Sequence, residues 1–521
     1  MKQFAFVFSL FISTISFAQS SPEKYVEIIS ENNLQKHLNI IASAEMEGRA
    51  AGTEGERRAA KYIIEQLKLS GLTSFNSLKG YRQFFPLKTD SLIDAELKIN
   101  GTKAKSGIDY IFPLKTNSSE KVKTNEIVFA GYGIEDLKYN DYLNLNVKGK
   151  TLLMFLGEPK EGDNFIITGT NKGSEWTTSG ITSKLKLAKQ KGAKNVLFIS
   201  LTQDVFPESV VNNNIYSGLY YPDVENTKYI SHVLISHAFA KLILEDNASQ
   251  LFAIATSFKP FNPVNSFSKK IKIKSAFKKN VESINSANVI GVIEGSDKKD
   301  EYVFLTAHYD HLGIRNGKIY YGADDDGSGT VAIMMMGEAF AKAKADGNGP
   351  RRTIVIMAVS GEERGLWGSR FYSDNPAVPL NKTSADINTD MIGRVDTERM
   401  LDDTLNYVYA VGHNKLSSDL KTILESVNDK YSQLTLDYKF DDPKDPNRIY
   451  YRSDHYNFAR KGVPALFFYD GMLKSDYHKP TDTVDKINWT LYKKRAQLIF
   501  YTAWEIANRD EMLKRDIPLT N

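Results

Sequence analysis

Residues 302–344, YVFLTAHYDHLGIRNGKIYYGADDDGSGTVAIMMMGEAFAKAK, run from an apolar segment through a polar loop into a second apolar segment. The pattern predicts a buried strand at Tyr302–Ala307 and a helix at Gly329–Lys344. The same strand, loop and helix order recurs over residues 285–510, with a helix at Leu416–Asp429. The further predicted strands are Val289–Ile293, Thr353–Val359, Ala385–Thr389 and Ala465–Phe468. Apolar strands that alternate with helices predict an α/β layered domain whose sheet is buried on both faces.

Length and composition indicate a globular protein of two to three domains. The chain has 521 residues, of which 41% are hydrophobic and 25% charged, which excludes a disordered, collagen-like or coiled-coil chain. The net charge of +4 is small for this length and argues against nucleic acid as a partner. Cysteine is absent, which excludes disulfides, thiolate nucleophiles, cysteine-ligated zinc and a lipoprotein anchor on an N-terminal cysteine.

The N-terminus has the pattern of a secretory signal. Lys2 precedes an apolar run from Phe4 to Phe17, and small residues occupy positions 16 and 18. Residues 1–18 are therefore predicted to be a signal peptide, cleaved after Ala18, that exports the protein to the periplasm or the medium. The alternative is a membrane anchor, but the run is short for a spanning helix, and the mature protein is expected to have none.

The remaining chain is predicted to form one domain with an insertion. Residues 19–114 supply its N-terminal part and residues 281–521 its catalytic part. Residues 115–280 form a predicted β-rich insert without a convergent set of catalytic side chains. Its two histidines, His232 and His237, lie in an apolar run and are predicted to be packing residues.

Several groups of potential ligands follow the predicted strands. His308 and Asp310 follow the first strand at positions i and i+2, so their side chains project to the same side. The imidazole can then bind a metal while the carboxylate orients it. Taken by itself, however, this pair is also compatible with a structural role. The adjacent residues Asp324, Asp325 and Asp326 repel one another unless a cation offsets their charge, and helix capping explains one of them.

The other strands end in similar residues. Glu362 and Glu363 follow one strand and suit a general base and a metal ligand, although both could be solvated surface charges. Asp390 follows the next strand, and His478 lies in a loop near the C-terminus. Carboxylates and imidazoles without sulfur suit zinc or a similar divalent ion in a two-metal site. The predicted ligands are His308, Asp325, Glu363, Asp390 and His478.

Five motifs in this order resemble those of the co-catalytic di-zinc aminopeptidases, of the bacterial leucyl aminopeptidase and aminopeptidase Y type. They are HYDHLG, GADDDGSG, SGEERGLWGS, NTDMIGR and YHKPTDT. The family also includes glutamate carboxypeptidase II and the glutaminyl cyclases. The resemblance covers residues 25–75 and 285–510, and the insert resembles a protease-associated domain. It implies a three-layer zinc-peptidase domain with a mixed central sheet flanked by helices.

The resemblance also implies a role for each ligand. His308 and Asp390 would hold one zinc, Glu363 and His478 the other, and Asp325 would bridge the two.

The same resemblance assigns the neighbouring carboxylates. Glu362 would be the general base, and Asp310 the carboxylate that orients the His308 imidazole. The Asp325–Asp326 peptide bond would be cis. Four more histidines match no ligand position. His311 and His455 are predicted to support the site indirectly, and His37 and His413 to be structural or surface residues.

The implied activity is hydrolysis of N-terminal residues from peptides with a free N-terminus, by water that two zinc ions activate. The dense acidity of the site favours a substrate ammonium, whereas Arg394 and Arg452 do not form the arginine cluster that a carboxypeptidase needs. Tyr450 or Tyr451 is a candidate oxyanion donor. The alternatives are a carboxypeptidase, a one-zinc glutaminyl cyclase and a non-catalytic receptor-like binding protein.

Overall fold

The computed structural model describes residues 22–201, 204–222, 228–261, 266–401 and 403–519. The predicted signal peptide at residues 1–18 lies outside these ranges. The chain divides into two compact units, the second of which is Pro86–Ile284, while the first comprises the chain before and after it.

The second unit begins earlier than the predicted boundary at residue 115. Leu97, Tyr110 and Phe112 belong to its hydrophobic core, so the segment that precedes residue 115 packs within this unit. Its end at Ile284 lies close to the predicted boundary at residue 280.

The first unit contains a mixed sheet. Its strands lie in the order Thr435–Asp437, Tyr407–Val411, Ala465–Tyr469, Thr383–Thr389, Lys298–His308 and Arg352–Val359, followed by the part of Ile273–Ile293 that begins at Asn285. The Lys298–His308 strand is parallel to both of its neighbours, and Thr383–Thr389 is parallel to Ala465–Tyr469. Antiparallel pairs join Tyr407–Val411 to Ala465–Tyr469 and Ile273–Ile293 to Arg352–Val359. The predicted α/β fold with a mixed central sheet is therefore confirmed.

Both faces of this sheet are covered, which explains its continuous apolar strands. In the buried strand Arg352–Val359, Ile354, Ile356 and Ala358 join one hydrophobic core, while Val355 and Met357 join another. Successive side chains of a strand point to opposite faces, so each core lies on its own side of the sheet.

Helices supply the outer layers of the first unit. The first core contains residues of Glu23–Val26, Glu31–Ile41, Glu54–Leu69, Gly329–Ala345, Asp419–Tyr431 and Trp489–Asn508. The second core contains residues of Trp367–Asp374 and His455–Ala459. No helix among the described residues is long and apolar enough to cross a membrane.

Among its described residues, the second unit has a sheet of six strands. Their order is Ser268–Lys269, Ile127–Phe129, Thr151–Phe155, Asn195–Ile199, Ser231–Ile235 and Tyr110–Ile111. Its helices are Glu175–Thr178, Thr182–Gln190, Glu208–Asn213, His237–Leu244 and Ala248–Thr256. His232 is buried within the unit and hydrogen-bonded to Thr116 and Ile230, which suits a packing residue.

Candidate metal centre

Three adjacent parallel strands of the first unit end beside one another and carry most of the predicted site residues. His308 is the last residue of its strand, Asp390 directly follows Thr383–Thr389, and Glu362 and Glu363 follow Arg352–Val359 in a short 3₁₀ turn. The carboxyl ends of parallel strands meet at one edge of a sheet, where ligands commonly bind. The topology therefore brings these side chains together.

The three consecutive aspartates have different partners. Asp326 Oδ1 accepts hydrogen bonds from the Gly329 and Met391 amides, and its Oδ2 accepts one from the His308 amide. Asp324 Oδ1 accepts hydrogen bonds from the Ser328 hydroxyl and the Gly393 amide. Both residues thus hold the backbone in place.

Only Asp325 projects toward the other predicted ligands. Its peptide bond to Asp326 is cis, as expected.

Asp325 lies between two pairs of side chains. Its Oδ1 is 3.2 Å from His308 Nε2, which is 3.5 Å from Asp390 Oδ1. Its Oδ2 is 3.3 Å from His478 Nε2, which is 3.0 Å from Glu363 Oε2. Ligand atoms about 2.0–2.2 Å from a shared zinc ion are spaced about 3–3.5 Å apart. The arrangement matches the predicted grouping, with one pair on each side of Asp325.

Buried polar atoms without hydrogen bonds show that a cation fits this site. Among the described residues, none forms a hydrogen bond to His311 Nδ1, Asp325 Oδ2 or Glu363 Oε1, although all three atoms are buried. Buried polar groups are costly unless they are paired or coordinate a metal. Imidazole nitrogens and carboxylate oxygens are suitable ligands for zinc and related divalent ions.

His311 lies beside these predicted ligands, although its sequence position matches no ligand position in the family that the motifs resemble. Its Nδ1 lies 2.7 Å from Glu363 Oε1 and 3.8 Å from Asp325 Oδ2. The sequence predicted only an indirect supporting role for His311. The HYDHLG motif alone does not show whether its second histidine binds the metal or only lies near it. By contrast, His455 stacks on Phe467 away from these atoms, and burial lowers its pKa to about 3.

Glu362 is positioned through its backbone. Its amide donates to Asp310 Oδ1 at 3.2 Å, and its own Oε2 lies 3.9 Å from His308 Nε2. The Asp310 carboxylate is 3.7 Å from His308 Nδ1, whereas the Asp310 backbone carbonyl is 3.0 Å from the same nitrogen and accepts its hydrogen bond. Asp310 thus orients both residues, and its peptide carbonyl is closer to His308 Nδ1 than its carboxylate is.

The two adjacent glutamates differ in pKa. Burial raises the pKa of Glu362 well above its usual value, and Asp390 and Glu363 add to this while His308 opposes it. Burial and Asp325 also act to raise the pKa of Glu363, but His311 and His478 outweigh them and lower it. Such a separation of environments is typical of sites where one carboxylate exchanges a proton and its neighbour stays ionised.

A pocket opens onto the predicted centre. Asp325, Glu362 and Asp390 form its acidic side. The rest of its lining includes Met391, Ile449, Arg452, Ser453, Phe467, Tyr469, Leu473 and Tyr477.

The arginine and tyrosine side chains in and near the pocket differ in their partners. The Arg452 guanidinium donates to the Tyr477 hydroxyl at 3.0 Å, and both residues line the same pocket as the acidic side chains. Arg394 is instead paired with Asp476 at 2.8 Å. Tyr450 packs its ring against His455, so Tyr477 is a better placed hydroxyl than the two tyrosines that the sequence suggested.

Part of the chain is similar in sequence to known proteins. Residues 288–503 match the model of peptidase family M28.

Named relatives of this region include two aminopeptidases. A probable leucine aminopeptidase of Arthroderma otae is 29% identical over 215 residues, which are 40% of this chain and 55% of that protein. Aminopeptidase YwaD of Bacillus subtilis is 25% identical over 245 residues, which are 44% of this chain and 46% of that protein. The chain thus spans about half the length of these curated relatives.

A solved structure aligns over a longer range. The aminopeptidase from Aneurinibacillus sp. strain AM-1 is 18% identical, with a TM-score of 0.49, and the alignment covers 96% of this chain and 100% of that one.

Proposed function

We propose that this protein is a zinc-dependent aminopeptidase that removes residues from the free N-terminus of peptides. The observation that carries the proposal is the position of Asp325 between two histidine–carboxylate pairs, in a pocket that Glu362 also lines. The family match of residues 288–503 and the names of the relatives support the same activity.

The proposed ligands are divided between two zinc ions. His308 and Asp390 would hold one, Glu363 and His478 the other, and Asp325 would contact both. When bound, such ions polarise the scissile carbonyl and make a water molecule acidic enough to lose its proton near neutral pH.

The protein's own groups would complete the reaction. Glu362 takes the proton from the attacking water at its carboxylate and returns it to the leaving amine. Tyr477 and Arg452 line the same pocket, and their hydroxyl and guanidinium groups can donate hydrogen bonds to the developing oxyanion.

The charges of the pocket favour attack at the N-terminus. Asp390 and Glu362 can accept the substrate ammonium, while Arg452 is the single arginine among the lining residues described. A carboxypeptidase would need cationic groups that converge on the substrate carboxylate. Because Arg394 is held by Asp476, it does not supply the second one.

Blocking each end of one short peptide tests this direction of attack. Acetylation removes the N-terminal charge and should abolish cleavage, whereas amidation of the C-terminus should change the rate little. Mass spectrometry of the products identifies the bond that is cut. Normal cleavage of the acetylated peptide with resistance of the amidated one would replace the aminopeptidase proposal with the carboxypeptidase alternative.

Elemental analysis tests the metal content. We expect two divalent ions per chain, loss of activity with a strong chelator and recovery with zinc, because two sets of ligands share Asp325. All five residues that the resemblance implies as ligands are present, which supports an active enzyme over a receptor-like protein without activity. One ion per chain in the active protein would favour a cyclase-like enzyme, and none would favour the receptor-like alternative.

We further propose that the protein is exported through residues 1–18 and has no membrane anchor once they are removed. Its partners would be peptides and not nucleic acid, since the net charge is only +4. The second unit is proposed to be a protease-associated domain.

A further inference from the structure

His311 is a buried histidine that points into the group formed by Glu363, Asp325 and His478. Its side chain is fully buried, and its Nδ1 is 2.7 Å from Glu363 Oε1. The ring lies 6.0 Å from the ring of His478, at an interplanar angle of 67°. Two imidazoles from distant parts of the chain therefore approach the same carboxylate.

The surrounding backbone leaves a space shaped for this ring. Gly322 has a φ of +57°, and a Cβ atom there would lie 2.5 Å from His311 Cγ. The His311 amide also donates to the Arg49 carbonyl at 3.3 Å. The backbone at His311 is thus anchored to Arg49, and the absence of a side chain at Gly322 leaves room for the ring.

Hydrogen bonding does not account for the close contact with Glu363. Neither ring nitrogen of His311 forms a hydrogen bond with any described residue, and Glu363 Oε1 has no such partner either. An imidazole nitrogen and a carboxylate oxygen are both zinc ligands, and buried polar atoms without a hydrogen bond can be satisfied by a shared cation. Asp325 Oδ2 is the third unpartnered atom, 3.8 Å from the same nitrogen.

We infer that His311 is an additional ligand of the metal ion held by Glu363 and His478. This inference rests on the metal-dependent function proposed above. It gives that ion the donors His311, Glu363, His478 and the shared Asp325, whereas the other ion has His308, Asp390 and the shared Asp325. The site with His311 is expected to bind its ion more tightly and to fill first.

X-ray absorption at the zinc edge counts the imidazoles directly. The fully loaded protein should give three imidazole ligands per two zinc ions, and His311→Asn should give two. Asparagine places an amide near the position of Nδ1 and can still donate to Glu363, but amides are weak zinc ligands. It therefore distinguishes a ligand from a residue that only positions Glu363.

Metal titration of the metal-free protein gives a second measurement. For the tighter ion, we expect an affinity about 10-fold or more lower in both His311→Asn and His311→Ala, with the other ion little affected. His237→Gln is the matched control, because it removes an imidazole from the second unit that the centre does not use. Melting curves of the metal-free variants verify that they are folded.

The outcomes separate this inference from the proposed function. The role of His311 would be overturned if the unaltered protein had two imidazoles per two zinc ions, or if His311→Asn had normal metal affinity. Either result would leave the zinc-dependent function intact. An unaltered protein that binds no zinc would overturn both.

Discussion

At the scale of single residues, Glu362 and Glu363 are adjacent in sequence but have separate tasks. The Glu362→Gln variant keeps size and hydrogen bonding but cannot accept a proton. We expect turnover to fall by about two to four orders of magnitude with metal content unchanged, the usual contribution of a general base. Steady-state kinetics and elemental analysis of the same preparation test this prediction.

The neighbouring residue provides the control for that experiment. Glu363→Gln should lose metal, because Glu363 contacts both His311 and His478. Metal loss in Glu362→Gln instead would mean that the two roles are exchanged. Turnover close to normal in Glu362→Gln would remove it from the mechanism.

The sequence could identify most of these residues but not His311. His308, Asp390 and Glu363 each follow an apolar strand, so topology alone predicts that they meet. His311 lies beyond the end of its strand, where alternation no longer predicts the direction of a side chain. Its orientation depends on Gly322, eleven positions further along the chain, and such a contact is visible only in three dimensions.

At the scale of elements, Arg49 connects three segments that surround the centre. Its guanidinium is fully buried and donates hydrogen bonds to four backbone carbonyls, at distances from 2.7 to 2.8 Å. The acceptors are Tyr309, Ile41, Tyr321 and Gly322. Arg49 therefore links the helix Glu31–Ile41, the loop after His308 and the turn that carries Asp325.

Replacing this guanidinium should weaken both the fold and the centre. Lysine in Arg49→Lys reaches fewer of the four carbonyls, and each buried acceptor left unpaired costs about 1–3 kcal/mol. We expect the free energy of unfolding to fall by about 2–5 kcal/mol, with faster loss of metal to a chelator. Arg57→Lys, on the exposed face of the next helix, is the control, and equal stability of the two variants would contradict the prediction.

The sequence predicted the strands that carry ligands better than the other elements. The predicted strand Thr353–Val359 corresponds to the observed Arg352–Val359, and the predicted helix Gly329–Lys344 to Gly329–Ala345. The strand Tyr407–Val411 was not predicted, because a short apolar run does not distinguish a strand from a buried loop or helix. Pairing with Ala465–Tyr469, far along the chain, determines its conformation.

At the scale of the whole molecule, the candidate centre and the insert belong to different compact units. All the proposed ligands come from the first unit, whereas the second has its own sheet and its own hydrophobic core. A change in the core of the second unit can therefore alter stability without touching a proposed ligand. The start of that unit at Pro86 could not be read from composition, because the residues before 115 contribute to its core only after folding.

His232 makes the stability of the second unit dependent on pH. Its buried imidazole is uncharged, with Nδ1 donating to the Ile230 carbonyl at 2.9 Å and Nε2 accepting from the Thr116 hydroxyl at 2.7 Å. Burial lowers its pKa from 6.5 to about 4, the Ile230 carbonyl opposes this, and the charge of Lys279 adds to it. Between these two values the unfolded chain binds a proton that the folded chain does not, so stability falls as pH decreases from 6.5 to about 4.

The variant His232→Gln removes this titration while keeping a polar side chain. We expect the difference in unfolding free energy between pH 6.5 and pH 4 to be about 2–3 kcal/mol smaller in the variant than in the unaltered protein. Urea unfolding of the full chain at the two pH values measures it. His237→Gln removes a more exposed imidazole of the same unit, whose pKa is also lowered by burial, and should reduce the difference less than His232→Gln does. An equal pH dependence in His232→Gln and the unaltered protein would show that His232 is protonated in the folded state as readily as in the unfolded one.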